Sequence, residues 1–180
     1  HPGYMDETYW RTLPEIGFNR VSIGIQDFDE QVLKTSHRKK ARLPIENIVN
    51  WLREKSVSVN MDFIYGLPQQ TPESFAESIK RAIAIRPHRV VTFSYAHVPW
   101  VNPLQRKLED AGLPAPQMKN SMFDTAAHLL NEAGYKSIGL DHFVLPDDEL
   151  YIVKQEKTLH RNFQGYCTRR TTGQPVSQFV

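Results

Sequence analysis

One cysteine, Cys167, stands among 180 residues. An intrachain disulfide is therefore excluded, and the composition suits a reducing compartment, so the expected location is the cytoplasm. No run approaches the roughly 20 apolar residues of a membrane-spanning helix, and the first residues contain no apolar signal-peptide core. Neither sign of charge dominates: 22 Lys and Arg face 20 Asp and Glu, a net charge of +2. Bulk electrostatics thus calls for neither nucleic acid nor an anionic membrane as partner. Internal repeats and low-complexity segments are absent as well. What remains is a chain that is 40% hydrophobic and long enough to bury a core, with a length that favours one domain.

Short β-branched runs alternate with helical patterns. Strands are predicted over residues 20–25 (RVSIGI), 57–64 (VSVNMDFI), 89–95 (RVVTFSY) and, more briefly, 136–140. Between them, Pro44 opens a helix to about residue 55 with Ile45, Ile48, Val49 and Leu52 on one face. Thr71 caps a helix to residue 85, with Pro72 in its first turn and Phe75, Ile79, Ala82 and Ile83 on its apolar side. A third helix runs over residues 117–132 and ends at Gly134. Repeated βα units imply a parallel sheet, hence an α/β fold that closes into part of a barrel. The barrel is assigned to residues 1–143 and a loop-rich region to 144–180. In barrels the functional residues sit at the carboxyl ends of strands, which singles out Gln26, Tyr65-Gly66, Ala96-His97 and Asp141-His142.

The run Leu159-His160-Arg161-Asn162-Phe163-Gln164-Gly165-Tyr166 fits neither helical nor strand periodicity and reads as a loop built to touch something. It follows Ser22-Ile23-Gly24-Ile25-Gln26-Asp27-Phe28, Asp62-Phe63-Ile64-Tyr65-Gly66-Leu67-Pro68, Ser94-Tyr95-Ala96-His97-Val98-Pro99 and Gly139-Leu140-Asp141-His142-Phe143. In this order the blocks resemble oxygen-independent coproporphyrinogen III oxidases of the radical S-adenosylmethionine (SAM) family, over most of residues 14–172. Haem-chaperone paralogues normally read QSF where this chain has Gln26-Asp27-Phe28. The resemblance implies an incomplete (β/α) barrel of the radical SAM type with its N-terminal strands missing. The cofactors it implies are SAM and a [4Fe–4S] cluster. A thiolate-held cluster needs at least three cysteines, and the family's CxxxCxxC motif is not here. With the start at His1-Pro2-Gly3, the chain is expected to be a piece of a longer enzyme whose cluster segment lies upstream and to be inactive alone. A natural cluster-free relative is the alternative.

Individual residues carry different weight. Gln26 matches a glutamine that contacts SAM in the family, although at a strand end it could simply cap. Arg38 keeps the family's twelve-residue interval to a SAM-binding arginine, and a guanidinium fork suits an aminoacyl carboxylate. Its neighbours Lys39, Lys40 and Arg42 are read as solvated. Asp62 lies in an apolar strand, where an unpaired carboxylate is costly, so it requires a protein or ligand donor; the resemblance makes it a SAM ligand. Ala96 lets backbone approach a ligand closely, and the resemblance places it at the adenosyl group. Phe163 and Gln164 match residues near the SAM or substrate pocket. Gly66 and Pro68 are expected to shape a turn, and His97 to be structural. Asp141, His142, Asp147, Asp148 and Glu149 match no metal motif, and no metal is assigned.

For the complete enzyme the resemblance implies oxidative decarboxylation of two propionates of coproporphyrinogen III to vinyls, giving protoporphyrinogen IX, with an external electron donor. Two other classes stay open: a metal-dependent barrel hydrolase using Asp62, His97, Asp141 and His142, and a core that binds SAM or a porphyrin without turnover. Gln26, Asp62 and Ala96 are expected to converge in one pocket. The strand at residues 20–25, left as a sheet edge, is expected to promote self-association.

Overall fold

The computed structural model describes residues 1–162 and 165–168. Its elements are α1 (Glu7–Glu15), β1 (Arg20–Gln26), α2 (Glu30–Thr35), α3 (Ile45–Glu54), β2 (Ser58–Tyr65), α4 (Pro72–Ile85) and β3 (Arg89–Ser94). A short helical stretch then leads through α5 (Arg106–Glu109) to α6 (Pro116–Glu132), β4 (Lys136–Gly139), β5 (His142–Val144), α7 (Glu149–Gln155), β6 (His160–Asn162) and β7 (Gly165–Cys167).

Local chemistry explains the principal boundaries. Thr71 and Ser74 form a reciprocal capping box ahead of Pro72, so two orphan amides at the start of α4 are satisfied. Asp6, Asp29 and Asp148 cap α1, α2 and α7 through their carboxylates. Pro44 stands immediately before α3 and buries Ile45, Ile48, Val49 and Leu52 behind it, as the 3-4 spacing requires. Helices α1, α2 and α7 are short and mixed in polarity, and the sequence pattern did not reveal them.

The main sheet has the order β1-β2-β3-β5-β4. β1, β2 and β3 are parallel, but the fourth predicted strand does not continue that pattern. β4 turns through Leu140-Asp141 into β5, and β5 inserts antiparallel between β3 and β4. A two-residue connection can only make a hairpin, whereas a parallel neighbour needs a long crossover. β4 therefore never pairs with β3. The region expected to be loop-rich also contains α7 and the antiparallel pair β6–β7.

Alternation along the strands separates two faces. Ile23, Ile25, Val59, Met61, Phe63, Val90 and Phe143 are buried with apolar residues of α3, α4 and α6 in the main core. The opposite face carries Ser22, Asn60, Asp62, Phe93 and His142 and borders a cavity. There α7 and the β6–β7 pair provide the cover: Leu150 packs with Ile138 and Val144, joined by Leu159 and Tyr166. Arg89 fixes α7 through Asp148 at 2.7 Å and Glu149 at 3.2 Å. Tyr135 closes the far end, donating its buried hydroxyl to the Pro87 carbonyl at 2.6 Å. The result is a partial (β/α) barrel with helices outside and a polar inner face.

Candidate cofactor site on the inner face of the sheet

Asp62 occupies the middle of that inner face. Register pairs it with Gly24 of β1 and Val91 of β3. Its donors come from the same face: Ser22 Oγ donates at 2.6 Å and Asn60 Nδ2 at 2.7 Å. Asn60 Nδ2 also donates to Ser22 Oγ at 3.0 Å, which closes a three-residue network. Burial pushes the Asp62 carboxyl above its ordinary value, and the two side-chain hydrogen bonds and nearby His142 act in the opposite direction. Two donors aimed at one carboxylate favour an acceptor and offset part of the cost of burying it. Asn60 Oδ1 is buried without a partner among the described residues. Rotating the amide would set it against the acceptor Asp62, so the orphan is fixed by the network. A buried orphan acceptor beside a buried carboxylate suits a ligand bearing hydroxyl or ammonium donors.

The surrounding cavity measures about 210 Å³ and includes Arg20, Phe93, His142, Asn162 and Tyr166 in its lining. His142 is oriented by Asp141, with Nδ1 and Oδ1 2.8 Å apart, and its ring meets Tyr166 edge-on at 5.0 Å between centroids. The cavity's mouth is thus polar and aromatic.

Gln26 ends β1 beside this site. A bulge between Gly24 and Gln26 shifts the register so that Gln26 pairs with Phe63, and its φ is 69°. The side chain doubles back over the strand: Nε2 lies 2.7 Å from where a Cβ on Gly24 would stand. Any side chain at position 24 would collide with it. Because Gly24 is the register partner of Asp62, the Gln26 amide and the Asp62 carboxylate occupy neighbouring places at the carboxyl half of the parallel strands.

Ala96 lies beyond β3 on an exposed loop at the same end of the strands, outside the residues lining the Asp62 cavity. Gln26 also lies outside that lining. Gln26 and Asp62 stand on adjacent paired strands, while Ala96 stands apart on the rim, so the three do not line one cavity as expected. Its loop is pinned by several bonds. Gln105 donates to the Ala96 carbonyl at 3.1 Å and accepts from Val98 N at 2.6 Å. Lys119 donates to the Tyr95 carbonyl at 2.9 Å, crossing Gly66 so closely that a Cβ there would meet Lys119 Cε at 2.6 Å. His97 bridges Tyr95 at 3.3 Å and Glu109 at 2.8 Å.

Arg38 follows α2, its amide bonded to the Leu33 carbonyl, and no side-chain bond of its guanidinium is formed among the described residues. Phe163 and Gln164 lie outside the described residues. Of the four side chains of the metal-hydrolase reading, Asp62 and His142 line one cavity and Asp141 bonds His142, whereas His97 belongs to the loop after β3. Among the described residues no three His, Cys, Asp or Glu gather as a metal site. Ser22 and Asn60 were not singled out from sequence, although alternation with Asp62 sets both on its face.

A partial (β/α) barrel with ligand-binding groups at the carboxyl ends of its parallel strands is the radical SAM architecture, and the Radical SAM superfamily model matches residues 1–82. The chain belongs to the radical SAM superfamily, whose cofactors are SAM and a [4Fe–4S] cluster. Within it, the chain is similar to oxygen-independent coproporphyrinogen III oxidases. It is 46% identical to the Escherichia coli K12 enzyme over 157 residues, 87% of this chain and 34% of that protein. The Synechocystis enzyme is 41% identical over 170 residues, 94% of this chain and 36% of the relative. The solved Escherichia coli coproporphyrinogen III oxidase, described as a radical SAM enzyme, superposes with a TM-score of 0.88 at 44% identity, covering 93% of this chain and 39% of the other. The chain thus spans little more than a third of the length of these relatives.

Proposed function

We propose that the chain is part of an oxygen-independent coproporphyrinogen III oxidase acting in haem biosynthesis. The observation that carries this reading is the adjacency of Gln26 and the network-held Asp62 at the carboxyl half of the strands, in a chain 46% identical to the Escherichia coli enzyme. SAM fits the donor set. Asp62, with the orphan acceptor of Asn60 beside it, accepts from its hydroxyls or ammonium; the Gln26 amide binds alongside. Arg38 receives the aminoacyl carboxylate and Ala96 admits the adenosyl group on the rim, and Phe163 and Gln164 are assigned to SAM or substrate contact.

When bound beside a reduced [4Fe–4S] cluster, SAM supplies hydrogen-atom abstraction. The substrate, coproporphyrinogen III, gives up a hydrogen atom from the β-carbon of a propionate, then CO2 and one electron to an external electron acceptor, leaving a vinyl group; two such events are required. This chain's residues orient the cofactor and, under the cover of α7 and the β6–β7 pair, keep water from the reacting carbon. Cys167 alone cannot hold the cluster, whose ligands therefore belong to another segment. An electron donor is a further partner, and the cytoplasm is the proposed location. Among the described residues no helix is long and apolar enough to cross a membrane.

The test is a chimera in which this chain replaces the corresponding segment of the Escherichia coli enzyme. After anaerobic reconstitution it should convert coproporphyrinogen III to vinyl products, and Gln26→Ala and Asp62→Asn should each lower turnover or raise the SAM requirement. A folded, cluster-loaded chimera that makes no vinyl product overturns the reading.

A further inference from the structure

The first residue after β1 is a carboxylate that the proposed chemistry does not use. Asp27 is 1% exposed, yet it forms no ion pair among the described residues. Its carboxylate accepts from Gln70 Nε2 at 2.5 Å, from Ser78 Oγ at 2.5 Å and from the backbone amide of Asp29 at 2.9 Å. Each donor is itself fixed. Gln70 accepts from Leu67 N at 2.8 Å through its oxygen and donates also to the Ile64 carbonyl at 2.9 Å, so its amide cannot turn round without losing both. Ser78 is a buried residue of α4 and accepts from Phe28 N at 3.2 Å. One carboxylate thereby ties the end of β1 to the β2–α4 turn and to α4.

The neighbour held by this anchor is Gln26, a non-glycine residue at φ 69°. That conformation is unfavourable for an L-residue, and it persists only where the surroundings over-determine it. Bulges of this kind re-aim a side chain. Here the bulge sends the Gln26 amide back across Gly24, beside Asp62. An anchor one residue downstream, bonded to the Asp29 amide and to one donor on each of two other elements, is what the bent strand end needs.

We propose that Asp27 is the positioning residue for Gln26: its buried carboxylate locks the left-handed turn that lays the Gln26 amide over Gly24. The consequence for cofactor binding rests on Gln26 being a SAM contact. A serine at position 27, as in the QSF block, offers one short hydroxyl in place of two oxygens and cannot reach all three donors. Asparagine keeps the shape but brings an NH2 against donors that have no alternative orientation.

The experiment separates the geometric from the functional claim. In this chain, labelled with 15N-glutamine, the Gln26 side-chain amide is assigned by its loss in Gln26→Ala and should show nuclear Overhauser contacts to the Gly24 α-protons. Asp27→Asn and Asp27→Ser should abolish those contacts while contacts between His142 and Tyr166 persist, and Ser78→Ala should weaken them. In the chimera, Asp27→Asn should raise the SAM dissociation constant roughly tenfold, the scale on which losing an orienting partner acts at other ligand sites. Ile48→Val, a change in the main core behind the sheet, should leave SAM affinity unaltered. Should the Asp27 variants fold and keep the Gln26–Gly24 contacts, the proposal is overturned. If they fail to fold, Ser78→Ala decides: unchanged contacts overturn the proposal and weakened contacts support it. Lost contacts together with a Gln26→Ala chimera of unchanged SAM affinity support the positioning and overturn the SAM role of Gln26 instead.

Discussion

Asp62 illustrates how a residue can be placed against the interest of stability. Burial raises the pKa of its carboxyl in the folded chain above the ordinary value, so the ionised form is the form the fold disfavours. The sign follows. A raised folded pKa gives a stabilising contribution that is complete below the unfolded pKa and is lost as pH rises through the folded one. Asp62→Asn mimics the protonated state and should therefore gain thermal stability relative to the native chain at neutral pH. The gain should shrink as pH falls through the raised pKa and level off below the ordinary value. Paired melting curves from pH 3 to pH 7 check this; a stability difference that does not vary with pH contradicts it. The same variant should bind SAM more weakly, as expected where a site is stabilised for its ligand rather than for the fold.

Among the elements, the β4–β5 hairpin is the join on which the inner face depends. Gly139 has φ 155°, and a Cβ there would lie 2.4 Å from Tyr166 Oη and 3.2 Å from Cζ. Gly139→Ala should push Tyr166 and the β6–β7 pair off the sheet and destabilise the chain by about 1–3 kcal/mol. Combining it with Tyr166→Phe, which removes the clashing oxygen, should recover part of the loss. Strictly additive destabilisation in the double-mutant cycle would falsify the contact as its cause. The hairpin was only half legible. Residues 136–140 read as a strand, but His142–Val144 is too short for period-2 alternation to register, and its antiparallel insertion depends on the Leu140-Asp141 turn and on Val90 and Val91 as partners.

Two expectations concern the molecule as a whole. Anaerobic reconstitution of the monomeric chain with iron and sulfide should yield no stoichiometric [4Fe–4S] absorbance, because Cys167 is its one thiol. Association is the second. β1 ends the sheet, with no strand on its outer side among the described residues. α1 and the residues before it stand alongside, but a cavity of about 160 Å³ lined by Met5, Trp10, Leu13, Phe18, Val21 and Ile23 separates them from the strand. An edge left open beside apolar side chains is prone to pairing, so sedimentation at tens of micromolar should show a concentration-dependent dimer. Arg20→Glu or Ser22→Pro on the edge should weaken it. A concentration-independent monomer refutes the expectation.

Sequence by itself determined the parallel strands β1 to β3, the long helices α3, α4 and α6, and the candidates Gln26 and Asp62. Each is announced locally, by alternation, by 3-4 spacing, by the Thr71-Pro72 start or by a block that resembles a known family. Tertiary structure decided what those residues can do. That Ser22 and Asn60 hold Asp62, that Gln26 folds back over Gly24, and that Asp27 reaches Gln70 and Ser78 are facts of register and packing between residues 38 to 51 positions apart for the side-chain bonds that cross elements. No local pattern encodes such pairings, because the energy that selects them exists only once the strands lie side by side and burial makes each unpartnered polar group costly.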